Sequence, residues 1–499
     1  MTKMWMVKAG DNGDFYDEFK NRNIAVIGWG IGDVENKSKE EIKERLKEEY
    51  PDASPNTIGK WFPSIFDFNS SIEKEDYLLT ASHKSTKKFL LGKVESDCRC
   101  SEEFIEIGVD PDRKYDNVRD VRWLCEFPWA AVSIKNRKFI IRPPTCFEIT
   151  GEAKEEILNY YSWNSSYKRD IIYFGAPGTG KSHNLNQDKS NLILDKNGHE
   201  RVTFHPDYSY ANFVGTYKPF VPKEDSISYK YVPGPFMRTL VKALKNPNKP
   251  FLLLIEEINR SNVAAVFGDV FQLLDRDKNQ ESKFPIETTE DMRSFLENEL
   301  KEVIEKDPFL KHYLNQILNE DYSRIKIPSN MFIWATMNSA DQGVFPMDTA
   351  FKRRWNFKYF GINDEKAEET IEHIKVNLKG QEISWNKIRK TINDELLTYK
   401  INEDKLLGPF FAFNEYVDKE EYEKISDKEF ENIFREIFKN KIIMYLFEDA
   451  AKAKRDLLFS GVKEKTKKNN VIYSEVCDYF DSDGLKIFCE NIRRELDIQ

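Results

Sequence analysis

The chain has 499 residues and a formal net charge of −9, from 76 Lys and Arg against 85 Asp and Glu. At ~150 residues per domain, that length holds about three domains. With 40% hydrophobic and 13% aromatic residues a disordered chain is excluded, and the acidity excludes a general nucleic-acid coat, so any DNA contact must come from a local basic patch.

The chain opens on "MTKMWMVKAGDNGDF", which lacks the apolar core of a signal peptide. No stretch approaches the ~18 apolar residues of a membrane span. A cytoplasmic protein without membrane contact is expected. Short strand-like runs follow: "MWMVKAG", "NIAVIGWG", "DYLLTAS", "KFLLGKV", "AAVSI" and "KFIIRP", punctuated by Gly, Asp and Lys. One helical stretch intervenes, "SKEEIKERLKEEY", with Ile42, Leu46 and, weakly, Tyr50 at helical spacing. A small β-rich domain with one or two helices is expected over residues 1–146. Trp5, Trp29, Trp61, Phe62, Trp123 and Trp129 crowd into it, and ordinary core packing and a stacking pocket are both open readings. Cys98, Cys100, Cys125, Cys146, Cys477 and Cys489 form no CxxC pair, which favours free thiols in a reducing compartment.

Pro143 and Pro144 break the chain, and Thr150 reads as the N-cap of a helix. From 147 to 360, strands and helices alternate. Candidate strands are Ile171–Phe174, Val202–Phe204, Phe251–Ile255 and Met331–Thr336, short and apolar as in a buried parallel sheet. Between Asp277 and Lys326 a charged insertion reads as a peripheral helical pair. Residues 361–499 are helical and charged, and read as a helical lid packed on the sheet.

The first chemical motif is "IIYFGAPGTGKSHNL": strand, G-x-x-x-x-G-K-S, helix. Flanked in this way the spacing is specific for a phosphate loop, Gly175 to Ser182, including Pro177 and Thr179. Gly175, Gly178 and Gly180 let backbone N–H groups turn toward phosphate oxygens. Lys181 would reach the β- and γ-phosphates, and the Ser182 hydroxyl would bind Mg²⁺. The second is "FLLLIEEINRSN", five apolar residues ending in Glu256 and Glu257. A buried strand delivers a metal partner, Glu256, and a water activator, Glu257. The third is "MFIWATMNSADQGVFPMDTAFKRRWNF": a strand ending at Asn338, then Asp341, then a helix closing on Arg353 and Arg354. An amide beside the γ-phosphate orients water, and the arginines are either solvated surface charges or fingers for a neighbour's phosphate. "FHPDYSYANFVGTYKPF" reads as aromatic packing, or as a loop lining a pore or interface.

The strings "TFHPDYSYANFVGTYKPF", "IEEINRSNVAAVFGDVFQLLD" and "MNSADQGVFPMDTAFKRRW" resemble the McrB family of AAA+ motors in modification-dependent restriction systems, whose mark is MNxxD. The likeness covers about residues 165 to 360 and implies an AAA+ α/β sheet with a helical lid. It implies that Asn338 and Asp341 are the MNxxD pair, that Arg260 of "EINR" stands at a subunit interface, and that Arg353–Arg354 is the finger position. It also implies a hexameric ring, GTP rather than ATP, and a separate McrC-like nuclease subunit. Glu256 stands where the family has Asp, and a phosphate loop does not read the base, so ATP stays open. The segment "SSIEKEDYLLTASHKSTKKFLLGKV" is similar to PUA-like modules of the EVE and YTH type, which take a flipped modified base into an aromatic cage. That likeness implies DNA binding by the N-terminal domain, with Lys84, Lys87 and Lys88 on backbone phosphate. No nuclease pattern follows the Pro-Asp pairs at Asp52, Asp112 or Asp207, so cutting is expected in another chain. The alternatives are a protein-remodelling ATPase with a protein-binding head, and a nucleotide switch that does no work.

Overall fold

Seven strands of the N-terminal part form one mixed sheet in the computed structural model, which describes residues 2–34, 37–101, 115–193, 195–220, 228–338, 344–378, 381–468 and 470–498. They are β1 (Met4–Val7), β2 (Ile24–Ile27), β3 (Tyr77–Ala81), β4 (Lys88–Val94), β5 (Arg99–Cys100), β6 (Asn117–Pro128) and β7 (Cys146–Glu148). The order is β2-β6-β4-β3-β1-β7, with β5 on β6. Only β1 and β3 run parallel; the other neighbours are antiparallel. The β4–β6 register shifts between Leu91 and Gly92, where a Cβ would run into Trp123 and Val121.

The helix Lys39–Glu49 forms as its spacing predicts, with a complete Ser38–Glu41 capping box. A second helix, Pro55–Phe66, escaped the sequence reading because Gly59 and Pro63 interrupt its pattern. Its start is well signalled, with Pro55 in the first turn and Ser54 accepting from Thr57 N–H. Two expected strands are corrected. Within "AAVSI", Ala130 and Ala131 lie in a 3₁₀ turn, and "KFIIRP" falls on the helix Ile134–Ile140 and the turn after it. Short apolar runs do not distinguish strand from buried helix, and Arg137 and Ile140 bury at helical spacing. Thr150 does precede a helix, Gly151–Ser166, but its side chain makes no capping hydrogen bond.

The second sheet is wholly parallel. Its strands are β8 (Asp170–Gly175), β9 (His199–Thr203), β12 (Phe251–Glu256), β15 (Met331–Asn338) and β16 (Asn356–Phe360), in the order β16-β8-β15-β12-β9. Two small antiparallel ribbons interrupt it: β10 (Gly215–Phe220) with β11 (Ser228–Pro233), and β13 (Ile286–Glu287) with β14 (Arg324–Ile325). Leu252 to Ile255 and Met331 to Ala335 are fully buried, which is why β12 and β15 read as unbroken apolar runs. Strand β16 lies at the edge and carries Asn356 and Lys358, so no such run announces it.

The insertion is helical, Glu290–Lys306 and Pro308–Leu318, but it is not peripheral. Leu310, Tyr313, Leu314, Ile317 and Leu318 are buried. Phe309 packs on Trp129 of the N-terminal part at 5.4 Å. Asp307 takes a two-pronged ion pair from Arg137, at 2.8 and 2.9 Å. One continuous core joins Phe127 and Trp129 to Tyr160, Trp163 and Trp334 of the parallel-sheet region. The C-terminal region is helical around its own core, apart from the ribbon β17 (Lys375–Leu378) with β18 (Gln381–Ser384). Ala176 of the phosphate loop belongs to that core.

Candidate nucleotide site

Strand β8 ends at Gly175, whose φ of +152° starts the loop; Gly178 (+75°) and Gly180 (+86°) continue in conformations that favour glycine. The helix Lys181–Leu192 starts on Gly180, which offers no side-chain cap, so its first N–H groups are left for an anion. Thr179 is buried and donates its hydroxyl to Ala176 O at 2.9 Å. Lys181 is also buried and folds back, its Nζ donating to Gly175 O (2.9 Å) and Ala176 O (2.8 Å). Ser182 follows on the exposed side. Pro177 and Gly178 present carbonyls to a strap from the C-terminal region: Gly408 N–H donates to Pro177 O (3.1 Å) and Phe410 N–H to Gly178 O (2.8 Å). The approach leaves no room for side chains, since a Cβ on Gly178 would meet the Phe411 backbone and one on Gly408 the Gly178 backbone.

The neighbouring strands bring the next residues alongside. Asn338 at the end of β15 pairs in register with Gly175, and Glu256 ends β12. Glu257 sits just beyond it in a left-handed conformation (φ +55°), unusual for a non-glycine residue, with its N–H on Thr336 Oγ1 at 3.2 Å. That turn aims its carboxylate at Asn338, whose Nδ2 donates to Glu257 Oε1 at 2.6 Å. Asn259 braces the pair from below, donating to Asn338 O at 2.7 Å. Arg260, half exposed, reaches Glu257 Oε2 at 3.4 Å. Glu256 faces Arg201 at 3.5 Å. Asp341 lies outside the described residues.

The two terminal arginines part company. Arg354 is held by Asp275 (2.8 Å), by Ala350 O (2.9 Å) and over the Phe271 ring at 4.0 Å. Arg353 is exposed, and its guanidinium has no partner among the described residues. Thr336 and the Gly408–Phe411 strap were not singled out in the sequence. The Gly-Pro pair at Gly408 was a turn signal, but nothing local ties it to a loop more than two hundred residues earlier.

Residues 170–355 match a family described as "AAA domain (dynein-related subfamily)". The chain is 40% identical over 364 residues to the "Type II restriction enzyme BsuMI component YdiS" of Bacillus subtilis, covering 68% of this chain and 93% of that one. It is 27% identical over 235 residues to the "Type IV methyl-directed restriction enzyme EcoKMcrB subunit" of Escherichia coli, covering 44% of each. The chain belongs to the McrB-like AAA+ family of restriction-system components. Nucleoside-triphosphate hydrolysis comes with that AAA domain. Residues 4–150, ahead of the McrB-like core, match a family described only as "Domain of unknown function (DUF8426)". Among solved structures, C. elegans PCH-2 is matched at a TM-score of 0.20 and 13% identity, over 69% of this chain and 68% of that one, too distant to add to the assignment.

Proposed function

We propose that the chain is the nucleotide-driven motor of an McrB-like restriction system, with GTP as its fuel and ATP as the competing nucleotide. Its N-terminal domain contacts modified DNA, its subunits close into a hexameric ring, and a separate McrC-like nuclease does the cutting. The observation that carries the hydrolytic reading is the Asn338–Glu257 hydrogen bond beside the phosphate loop. A carboxylate held there accepts a proton from water attacking the γ-phosphate, and the amide fixes its direction. Lys181 and the uncapped helix start hold the phosphates. Bound Mg²⁺ neutralises charge developing on the phosphate oxygens. Ser182 and Glu256 fit it, since this ion takes only one or two protein ligands and fills its shell with phosphate and water. The exposed Arg353 suits a finger offered to the neighbouring subunit. The methyl-directed relative supports modified DNA as the target.

Glu257→Gln tests the reading. It should bind nucleotide as the wild type does and lose at least ~100-fold in turnover, on the scale of removing a positioned general base. Wild-type turnover in Glu257→Gln would refute the role. Comparing GTP with ATP, with methylated and unmethylated duplexes, addresses the fuel and the target.

A further inference from the structure

Beyond the strap, one long helix of the C-terminal region is irregular. It is an α-helix over Asp427–Ile437, then widens into two π turns, Phe438–Ile443 and Leu446–Ala450. Such turns are rare and frequent at functional sites. Lys441, Met444, Tyr445, Glu448 and Asp449 come to one face of this segment, and with Phe411 they line a cavity of about 500 Å³. Aromatic walls and a few polar groups, at this volume, suit a small planar ligand.

Phe411 belongs both to the cavity and to the phosphate loop. Its backbone is what a Cβ on Gly178 would meet, and its ring packs on Tyr445 at 4.7 Å. The cavity thus lies one residue away from the loop. Tyr445 is held in place by its hydroxyl, which donates to Lys405 O at 3.1 Å. Met444 leaves half its surface open beside the two rings. Among the polar groups, Asp449 pairs with Lys405 at 3.5 Å. Glu448 and Lys441 are exposed, and neither side chain has a hydrogen-bond or ion-pair partner among the described residues.

We infer that this cavity receives the purine base of the bound nucleotide, stacked against Tyr445 and Phe411, with Glu448 and Lys441 reading its edge. The inference rests on Gly175–Ser182 being the triphosphate site, and it adds the part of the site that distinguishes one base from another. An ionised carboxylate only accepts hydrogen bonds, and an ammonium only donates them. Guanine presents two donors, N1–H and the N2 amine, beside one acceptor, O6. Glu448 meets the donors and Lys441 the oxygen. Adenine carries a bare lone pair at N1, which a carboxylate repels. Glu448 and Lys441 are therefore specificity-determining residues that favour GTP.

The test uses the full chain and equilibrium binding of three probes: non-hydrolysable analogues of GTP and ATP, and inorganic tripolyphosphate, which has no base. Wild type should bind the GTP analogue about tenfold tighter than the ATP analogue, the scale of one two-pronged base contact. Glu448→Gln and Lys441→Met should each weaken the GTP analogue and leave tripolyphosphate unchanged. Tyr445→Ala should weaken both analogues about tenfold, the scale of one base–aromatic stack, again with tripolyphosphate unchanged. Tyr445→Phe keeps the ring and should keep most of the affinity. Tripolyphosphate binding lost in step with the nucleotides in Tyr445→Ala would make that residue a structural support and overturn the pocket. A wild type that binds both analogues equally, or prefers ATP, would overturn the guanine assignment. Unchanged binding of both analogues in every variant would overturn the pocket and leave the phosphate loop standing. Failure of wild type to bind any of the three probes would overturn the loop itself.

Discussion

Arg354 is anchored by Asp275, by a backbone carbonyl and by the Phe271 ring, whereas its neighbour Arg353 is exposed and has no partner among the described residues. Their substitutions should therefore separate. Arg354→Ala strands Asp275 and should lower stability by roughly 1.5–3 kcal/mol, the range for a hydrogen bond to a charged group, measured as a shift in the denaturant midpoint. Arg353→Ala should leave that midpoint unchanged and reduce turnover only under conditions where subunits assemble. Equal stability losses in the two variants would show that Arg353 is structural as well. Gly178 gives a second residue-scale outcome. Gly178→Ala adds a Cβ at φ +75° into the Phe411 backbone. The strap must then lift, and nucleotide affinity and thermal stability should fall together. Asn338→Ala leaves Glu257 without the amide that aims it. Turnover should fall by about 100-fold with binding intact, as for loss of a preorganised hydrogen bond in a transition state.

At the scale of elements, the insertion helices tie the N-terminal domain to the motor. Asp307 does two things there, pairing with Arg137 and capping the helix Pro308–Leu318 through the N–H groups of Phe309 and Leu310. Burial alone would raise the Asp307 pKa. The hydrogen bonds and charge of Arg137, with those two N–H groups, outweigh burial and hold it below the usual range. A carboxyl depressed in the folded state stabilises the fold above its unfolded value, ~3.9. That contribution is lost as pH falls from there through the folded value. Arg137→Met should cost about 3–5 kcal/mol at neutral pH by leaving a buried carboxylate unpaired. It should also flatten the loss of stability on acidification, read from denaturant midpoints between neutral pH and about pH 3. An acid profile identical to wild type would show that other carboxyls govern it. The same helices mark where sequence reading stops. Their charged faces suggested a peripheral pair, because the partner that buries Leu310 and Leu314 lies far away in the chain. Strands β8, β12 and β15 were legible because burial on both faces makes them apolar throughout. Edge strand β16 and the Gly408 strap were not, because each takes its conformation from a distant neighbour. The loop, Glu257 and Asn338 were readable as residues, but the hydrogen bond that joins Asn338 to Glu257 follows from the β12–β15 pairing and the left-handed turn at Glu257.

Across the whole molecule, the N-terminal sheet is no loosely tethered head. Its core runs on into the motor through Phe127, Trp129, Tyr160 and Trp163. Interfaces that are large and apolar oppose independent domain motion. The N-terminal sheet therefore has a packed route to the motor, and Phe309 lies on it. The ring touches Trp129 and lies under both Lys87 and Arg137. Among the described residues Phe309 makes no ring contact or hydrogen bond with the phosphate loop, so a substitution there can change communication without changing the chemistry. Phe309→Leu keeps most of the volume and removes the aromatic contacts. Basal nucleotide turnover of the full chain should stay within about twofold of wild type, while any change in turnover caused by duplex DNA should shrink by several-fold, a coupling loss on the order of 1 kcal/mol. Reciprocity makes the same variant weaken the effect of nucleotide on DNA affinity by a matching factor, which fluorescence anisotropy would read. Intact coupling in both directions would place the route elsewhere, with the Arg137–Asp307 pair as the next bridge to break.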